Sequence, residues 1–160
     1  SGAQYGLRLV ECLVKADYQV FVMFTKAAQI VVGSETDCRL PGRTAEQTRV
    51  LSALYGARDG QLRVYGDEEW AWPVASGSGA PRRMAVCPAS MATVSAIACG
   101  ASENLLERAA DVVIKERGNL PLIAGDGART AIDEALVDFI VARVLDQFGI
   151  ENDLMARWGL

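Results

Sequence analysis

The sequence predicts an α/β protein built on a doubly wound, open parallel sheet, and three observations carry that expectation. Tyr18 to Phe24 is an apolar run of strand length, as expected of a strand covered on both faces. Met84 to Cys87 is a second short apolar segment, and Pro88 after it has no N–H to give a ladder, which predicts the strand's end there. Each run is followed by a hydroxyl residue and then a helix start, at Thr25 and at Ser90. Repeated strand–hydroxyl–helix units bring helix N-termini to the carboxyl edge of a parallel sheet, where a phosphate-bearing ligand binds.

The stretch after Ser90 is the most informative. Met91, Ala92, Thr93, Ser95, Ala96 and Ala98 are mostly small, so a flat ring or a phosphate could approach the backbone closely. The first turn of a helix carries unpaired N–H groups and the positive end of the helix dipole, which favours an anion. An ordinary turn with a serine cap is the equally weighted alternative. Ser1-Gly2-Ala3 reads as the back half of a third such unit, and a helix follows from about Tyr5 to Ala16, with Leu9, Val10, Leu13 and Val14 on its apolar face. Thr44 to Leu54 predicts a mostly exposed helix and Leu62 to Tyr65 a short strand. Glu35 lies in the polar stretch Ser34-Glu35-Thr36-Asp37, where a solvated carboxylate is the ordinary expectation. Asp67 to Trp72 sets two tryptophans among acids, which suits core, a subunit contact or a wall for an apolar ligand chain. Ser76 to Pro81 is a Gly/Ser loop. Val112, Val113 and Ile114 read as a strand with Lys115 at its end, and Asp133 to Phe148 as a helix facing inward through Leu136, Phe139, Ile140, Val144 and Phe148, with Arg143 beside that stripe.

Composition narrows the chemistry. Histidine is absent, which removes the commonest general base, the commonest metal ligand and any Ser-His-Asp triad. The work must fall to carboxylates, Lys, Arg, hydroxyls, a bound cofactor or a residue lent by a neighbouring chain. A net charge of −4 gives no electrostatic reason to expect nucleic acid. Cys12, Cys38, Cys87 and Cys99 have no C-x-x-C spacing, which predicts buried cytosolic thiols and no metal site. The 160 residues fit a single domain, 1–160. With no apolar run long enough to span a bilayer and no visible secretory signal, a soluble cytoplasmic protein is expected.

Cys87-Pro88-Ala89-Ser90-Met91-Ala92-Thr93, followed by Gly100, Asn104, Leu105 and Glu107-Arg108, resembles the signature of the UbiX and cysteine-decarboxylase flavoprotein superfamily. Ala109 to Arg117, with Ser1 to Gly6, Thr25 to Gln29, Ser76 to Pro81 and Arg157-Trp158-Gly159, narrows the resemblance to the UbiX-type flavin prenyltransferases over nearly the whole chain. It implies a Rossmann/flavodoxin-like three-layer sandwich. The implied reaction is transfer of a dimethylallyl group from dimethylallyl monophosphate to N5 and C6 of reduced FMN. The product, prenylated FMN, would serve a UbiD-type decarboxylase. The implied assembly is a homo-oligomer, trimers combined into a dodecamer. Carried over residue by residue, FMN is held by Ser1, Thr25, Ser90, Met91, Ala92, Thr93 and Arg108. Lys115 and Arg143 bind the substrate phosphate with Arg108 assisting, and Ser1, Glu35 and Lys115 are catalytic, Ser1 and Glu35 as a proton relay. No metal is implied.

Two departures accompany the resemblance. The family's first strand does not precede Ser1, and only Gly118 to Ala131 stand where the family has a longer segment with Pro-Arg-Glu and Pro-Gly-Phe-Tyr turns. The shortened segment keeps a non-catalytic FMN-binding or cofactor-carrying relative as the alternative. Pro88-Ala89-Ser90 is the decarboxylase spelling, but that branch relies on a histidine, and none is present.

Overall fold

The structure is a computed structural model that describes residues 2–66, 68–76, 79–125 and 134–156. Helix α1 (Ala3–Lys15) leads into strand β1 (Val20–Met23), and helices α2 (Lys26–Glu35) and α3 (Thr44–Tyr55) carry the chain to β2 (Leu62–Tyr65). A single 3-10 turn at Pro73–Ala75 precedes β3 (Val86–Ala89). Helices α4 (Met91–Ala98) and α5 (Leu105–Lys115), strand β4 (Leu122–Ala124) and helix α6 (Glu134–Gln147) follow. A pair of helices separates the two strands of each pairing, α2 and α3 between β1 and β2 and α4 and α5 between β3 and β4, and both pairings are parallel, as an α/β fold requires.

Where a single open sheet is expected, the described strands form two parallel pairs. In one, β1 lies beside β2 with Val20 opposite Leu62 and Met23 opposite Tyr65. In the other, β3 lies beside β4 with Val86 opposite Leu122 and Ala89 opposite Ala124, the register shifting between them. That shift is where Pro88 sits, so the proline does not end the strand as expected. An irregularity in the ladder accommodates a residue that cannot donate, and the strand runs on to Ala89.

Helix α1 packs on both halves of the interior. Leu7, Val10 and Val14 join Val20, Val22, Leu62 and Val64. Its other flank, Tyr5 and Leu9, packs with Val137, Val141, Val144 and Leu145 of α6. Gly6 makes the contact with β3 feasible, because a Cβ there would lie 2.5 Å from the carbonyl oxygen of Cys87.

Two local expectations need correction. Val112, Val113 and Ile114 belong to α5, not to a strand. Leu105, Ala109, Ala110, Val112 and Val113 are its buried residues, a helical spacing that a three-residue apolar run conceals. In α6 the buried stripe is Val137, Val141, Ala142, Val144 and Leu145, whereas Leu136 and Phe139 are 42% and 45% exposed. The helix is apolar over so wide an arc that periodicity alone could not say which part meets α1. Trp72 is part of the interior, its ring 4.8 Å from that of Tyr65 and capped by the Arg63 guanidinium at 3.9 Å, while Trp70 is exposed.

Candidate functional site

Three helix starts form the site. Thr25 precedes α2 in extended conformation, and its Oγ1 accepts from the backbone N–H of Ala28 at 3.1 Å. Ser90 does the same for α4, accepting from Thr93 N at 3.1 Å, with its hydroxyl 2.9 Å from that of Thr93. These caps satisfy one donor each and leave the other first-turn N–H groups available to an anion.

The third start is that of α1, and it is already occupied by a carboxylate. Glu35 Oε2 accepts from Gly2 N at 3.2 Å and from Ala3 N at 3.3 Å. The sequence places Glu35 in a polar loop; the structure places it as the last residue of α2, half-buried. Gly2 is required there, because its φ is +100° and a Cβ would fall 2.7 Å from the Tyr5 ring. Ser1 lies outside the described residues.

Ala3, Thr25, Ser90, Met91 and Thr93 all line one cavity of about 1080 Å³ whose walls are largely apolar. Met91 is 70% exposed at its mouth, and Ala92 is exposed on the first turn of α4. A smaller recess of about 270 Å³ shares Met23, Thr25, Ala27 and Leu106 with it and adds Lys26 and Asn104. Sequence reasoning passed over Lys26, a cation in the first turn of α2; its position just after the Thr25 cap was the available signal. Cys87 also lines the large cavity, and burial pushes its thiol up to about 12, so it is a neutral apolar wall and not a nucleophile near neutrality.

The other predicted cations stand apart from this cavity. Arg108 and Lys115 lie on α5 and share Asp111, whose Oδ2 is 3.1 Å from the Arg108 guanidinium and 2.7 Å from Lys115 Nζ. Arg108 also donates to the carbonyl of Ala75 at 3.3 Å. Arg143 is exposed on α6, on the side that carries Leu136 and Phe139. Within one chain, the hydroxyls and helix N–H groups come together and these three cations do not join them. Asn104 and Glu107 have a structural role: Asn104 Oδ1 accepts from Glu107 N at 3.0 Å, and Glu107 Oε2 accepts from Glu103 N at 2.8 Å, a reciprocal cap on α5.

Hydroxyl-capped helix starts along the carboxyl edge of parallel strands, opening into one large cavity, define an α/β domain of the mononucleotide- and flavin-binding class. A family model described as Flavoprotein matches residues 1–125. The flavin prenyltransferase UbiX of Pseudomonas aeruginosa is 42% identical over 187 aligned positions, covering 99% of this chain and 90% of that protein. The alignment is longer than the 160-residue chain, so at least 27 of its positions have no residue of this chain opposite them. Among solved structures, AnUbiX in complex with FMN and dimethylallyl pyrophosphate matches with a TM-score of 0.81 at 26% identity, covering 99% of this chain and 92% of that one. A dodecameric FMN-dependent UbiX-like decarboxylase from Escherichia coli O157:H7 matches with a TM-score of 0.79 at 26% identity, covering 98% and 93%. The chain belongs to the flavoprotein family and, within it, to the UbiX-type flavin prenyltransferases.

Proposed function

We propose that the protein prenylates reduced FMN, and that the convergence of the Thr25 and Ser90 helix starts on one cavity, which Ala3 of the Glu35-capped α1 start also lines, is the observation that carries the reading. The residues present fit FMN. The first turns of α2 and α4 offer free N–H groups for its phosphate, and Ala27, Ala89 and Thr93 leave room for a ring against the backbone. When bound in reduced form, FMN would supply the nucleophile: N5 would displace inorganic phosphate from the allylic carbon of dimethylallyl monophosphate and lose its proton, and C6 would bond to the alkene carbon that bears the two methyl groups, its own proton leaving as the neighbouring alkene carbon gains one.

The chain's own residues do the rest. Ser90 and Thr93 orient the FMN phosphate, and Thr25 fixes the start of α2 beside the ring. Glu35 and Ser1 move the proton, Glu35 from its place at the α1 N-terminus. Lys115 and Arg143, with Arg108, receive the departing phosphate, for which positive charge is the stabilising element where no metal acts. Lys115 and Arg143 stand on exposed faces of α5 and α6, and half-buried Arg108 shares Asp111 with Lys115, so the complete site forms at a border between chains of a homo-oligomer. The dodecameric assembly of a structural neighbour supports a trimer-based dodecamer here. Prenylated FMN then passes to a UbiD-type decarboxylase. Four free cysteines suit a reducing cytoplasm, and among the described residues no helix is long and apolar enough to cross a membrane.

A second reading, FMN binding without catalysis, is favoured by the short connection from β4 to α6 and by the alignment positions that this chain lacks. Anaerobic incubation with reduced FMN and dimethylallyl monophosphate, followed by mass spectrometry of the flavin, separates the two. A mass gain of one prenyl unit supports transfer; bound, unchanged FMN supports the second reading.

A further inference from the structure

Two helices carry the same charged triad and balance it differently. On α1, Arg8, Glu11 and Lys15 are spaced three and four apart, and on α5 Arg108, Asp111 and Lys115 repeat that spacing, so each set shares one stripe of its helix. In both, the acid in the middle pairs with both cations. Arg8 also reaches a second acid, Asp138 of α6, which neutralises the set and ties the two helices together. Among the described residues no second acid pairs with Arg108 or Lys115, so the α5 triad keeps a net positive charge.

The acid is the most deeply set member of the α5 triad: its side chain is 16% exposed, against 38% for Arg108 and 65% for Lys115. One oxygen, Asp111 Oδ2, accepts from Arg108 Nη1 at 3.1 Å and from Lys115 Nζ at 2.7 Å, so the two nitrogens lie no more than about 6 Å apart. The guanidinium is fixed a second time, by Nε donating to the carbonyl of Ala75 at 3.3 Å. Among the described residues these bonds engage two of the five N–H donors of Arg108 and one of the three of Lys115. Ion pairs this exposed add little to stability, so the chief consequence of the arrangement is where the remaining donors stand. Without the acid, two like charges on one stripe would repel, and an exposed lysine would have to give up rotamer freedom each time it met an anion.

We infer that Asp111 is a positioning residue for the departing phosphate: it holds Arg108 and Lys115 as one clamp, so that their remaining donors meet a single tetrahedral anion together. That the anion is the phosphate of dimethylallyl monophosphate rests on the prenyl-transfer reading; the clamp itself asks only for an anion of phosphate size. Nitrogens this close suit two donors on different oxygens of one phosphate. Asp111 acts through the two cations and does not touch the phosphate. Its own negative charge opposes an anion at that distance, so pre-organisation has to outweigh the repulsion. The two effects have opposite signs. If repulsion dominates, removing Asp111 tightens phosphate binding; if positioning dominates, it weakens it.

Calorimetric titration of inorganic phosphate and of dimethylallyl monophosphate into the protein, with and without FMN, tests this beside steady-state transfer kinetics. Asp111→Ala is expected to weaken both ligands and to raise KM for the donor at least fivefold, with FMN affinity within twofold of wild type. Asp111→Asn, which keeps an acceptor, is expected to recover most of that loss. In a Lys115→Ala background the change Asp111→Ala is expected to have less than half its effect, because one of the groups it positions is gone. Circular dichroism verifies that each variant is folded at the temperature used, and Asp111→Ser takes the place of the alanine variant if that one is not. The proposal is overturned if Asp111→Ala binds phosphate as tightly as wild type or more tightly, or if Asp111→Asn binds no better than Asp111→Ala. It is also overturned if Lys115→Ala leaves the effect undiminished, or if wild type binds neither ligand. Donor binding that depends on Asp111 without any prenylated flavin supports the clamp and overturns the transfer reading alone.

Discussion

Glu35 shows how one side chain can serve fold and chemistry together. Its carboxylate sits where the positive end of α1 would otherwise attract a ligand anion, so replacing it has two separable effects. Glu35→Gln keeps an acceptor for Gly2 and Ala3 and loses the charge, and is expected to cost about 0.3–1 kcal/mol of stability in urea melts. If Glu35 relays the proton, the same variant lowers the rate of prenyl transfer at least tenfold with little change in FMN affinity; an unchanged rate restricts it to capping. At Gly6 the effect is steric. Gly6→Ala drives a methyl group toward the Cys87 carbonyl and is expected to destabilise by about 1–3 kcal/mol, seen as a lower melting temperature. The cysteines offer a pH test. Exposed Cys99 is expected to react with iodoacetamide first, while Cys87, its thiol pushed up to about 12, alkylates only slowly near neutrality and faster as pH climbs toward that value. Mass-mapped alkylation against pH decides this.

Between elements, α1 and α6 are joined by a charge network as well as by their apolar flanks. Arg8 Nε is 2.7 Å from Asp138 Oδ1 and its guanidinium 2.9 Å from Glu11 Oε2, while Lys15 also bonds Glu11. Burial would raise the Glu11 carboxyl, but hydrogen bonds from Lys15 and Arg8 outweigh it and hold the group below its ordinary value of 4.5. A carboxyl depressed in the folded state stabilises the fold above its unfolded value, and that contribution is lost as pH falls through the folded value. Glu11→Gln is therefore expected to lower the melting temperature at pH 7 and to narrow the gap from wild type below about pH 4, as followed by circular dichroism. Helix α5 carries its own lesson: Asn104 and Glu107 cap it reciprocally, so Asn104→Ala is expected to cost about 1 kcal/mol without altering FMN affinity directly.

For the molecule as a whole, apolar side chains left on the outside point to assembly. Ile30 is 73% exposed and Met91 70%, with Leu136 and Phe139 together on one side of α6. Light scattering is expected to give a mass well above the 17.1 kDa of one chain. Phe139→Glu is expected to shift the protein toward smaller species and, if Arg143 beside it serves a neighbour's site, to reduce transfer in proportion.

By itself the sequence determined the α/β class, the hydroxyl caps at Thr25 and Ser90, the strand Leu62–Tyr65 and the chemistry left open by the lack of histidine. All of these depend on neighbours in the chain, where spacing and residue type act directly. Tertiary structure alone decided that Val112 to Ile114 are helical, that Leu136 and Phe139 face outward, and that Glu35 reaches the start of α1. Those outcomes depend on which surfaces meet, and local patterns that fit several faces equally well do not encode that choice.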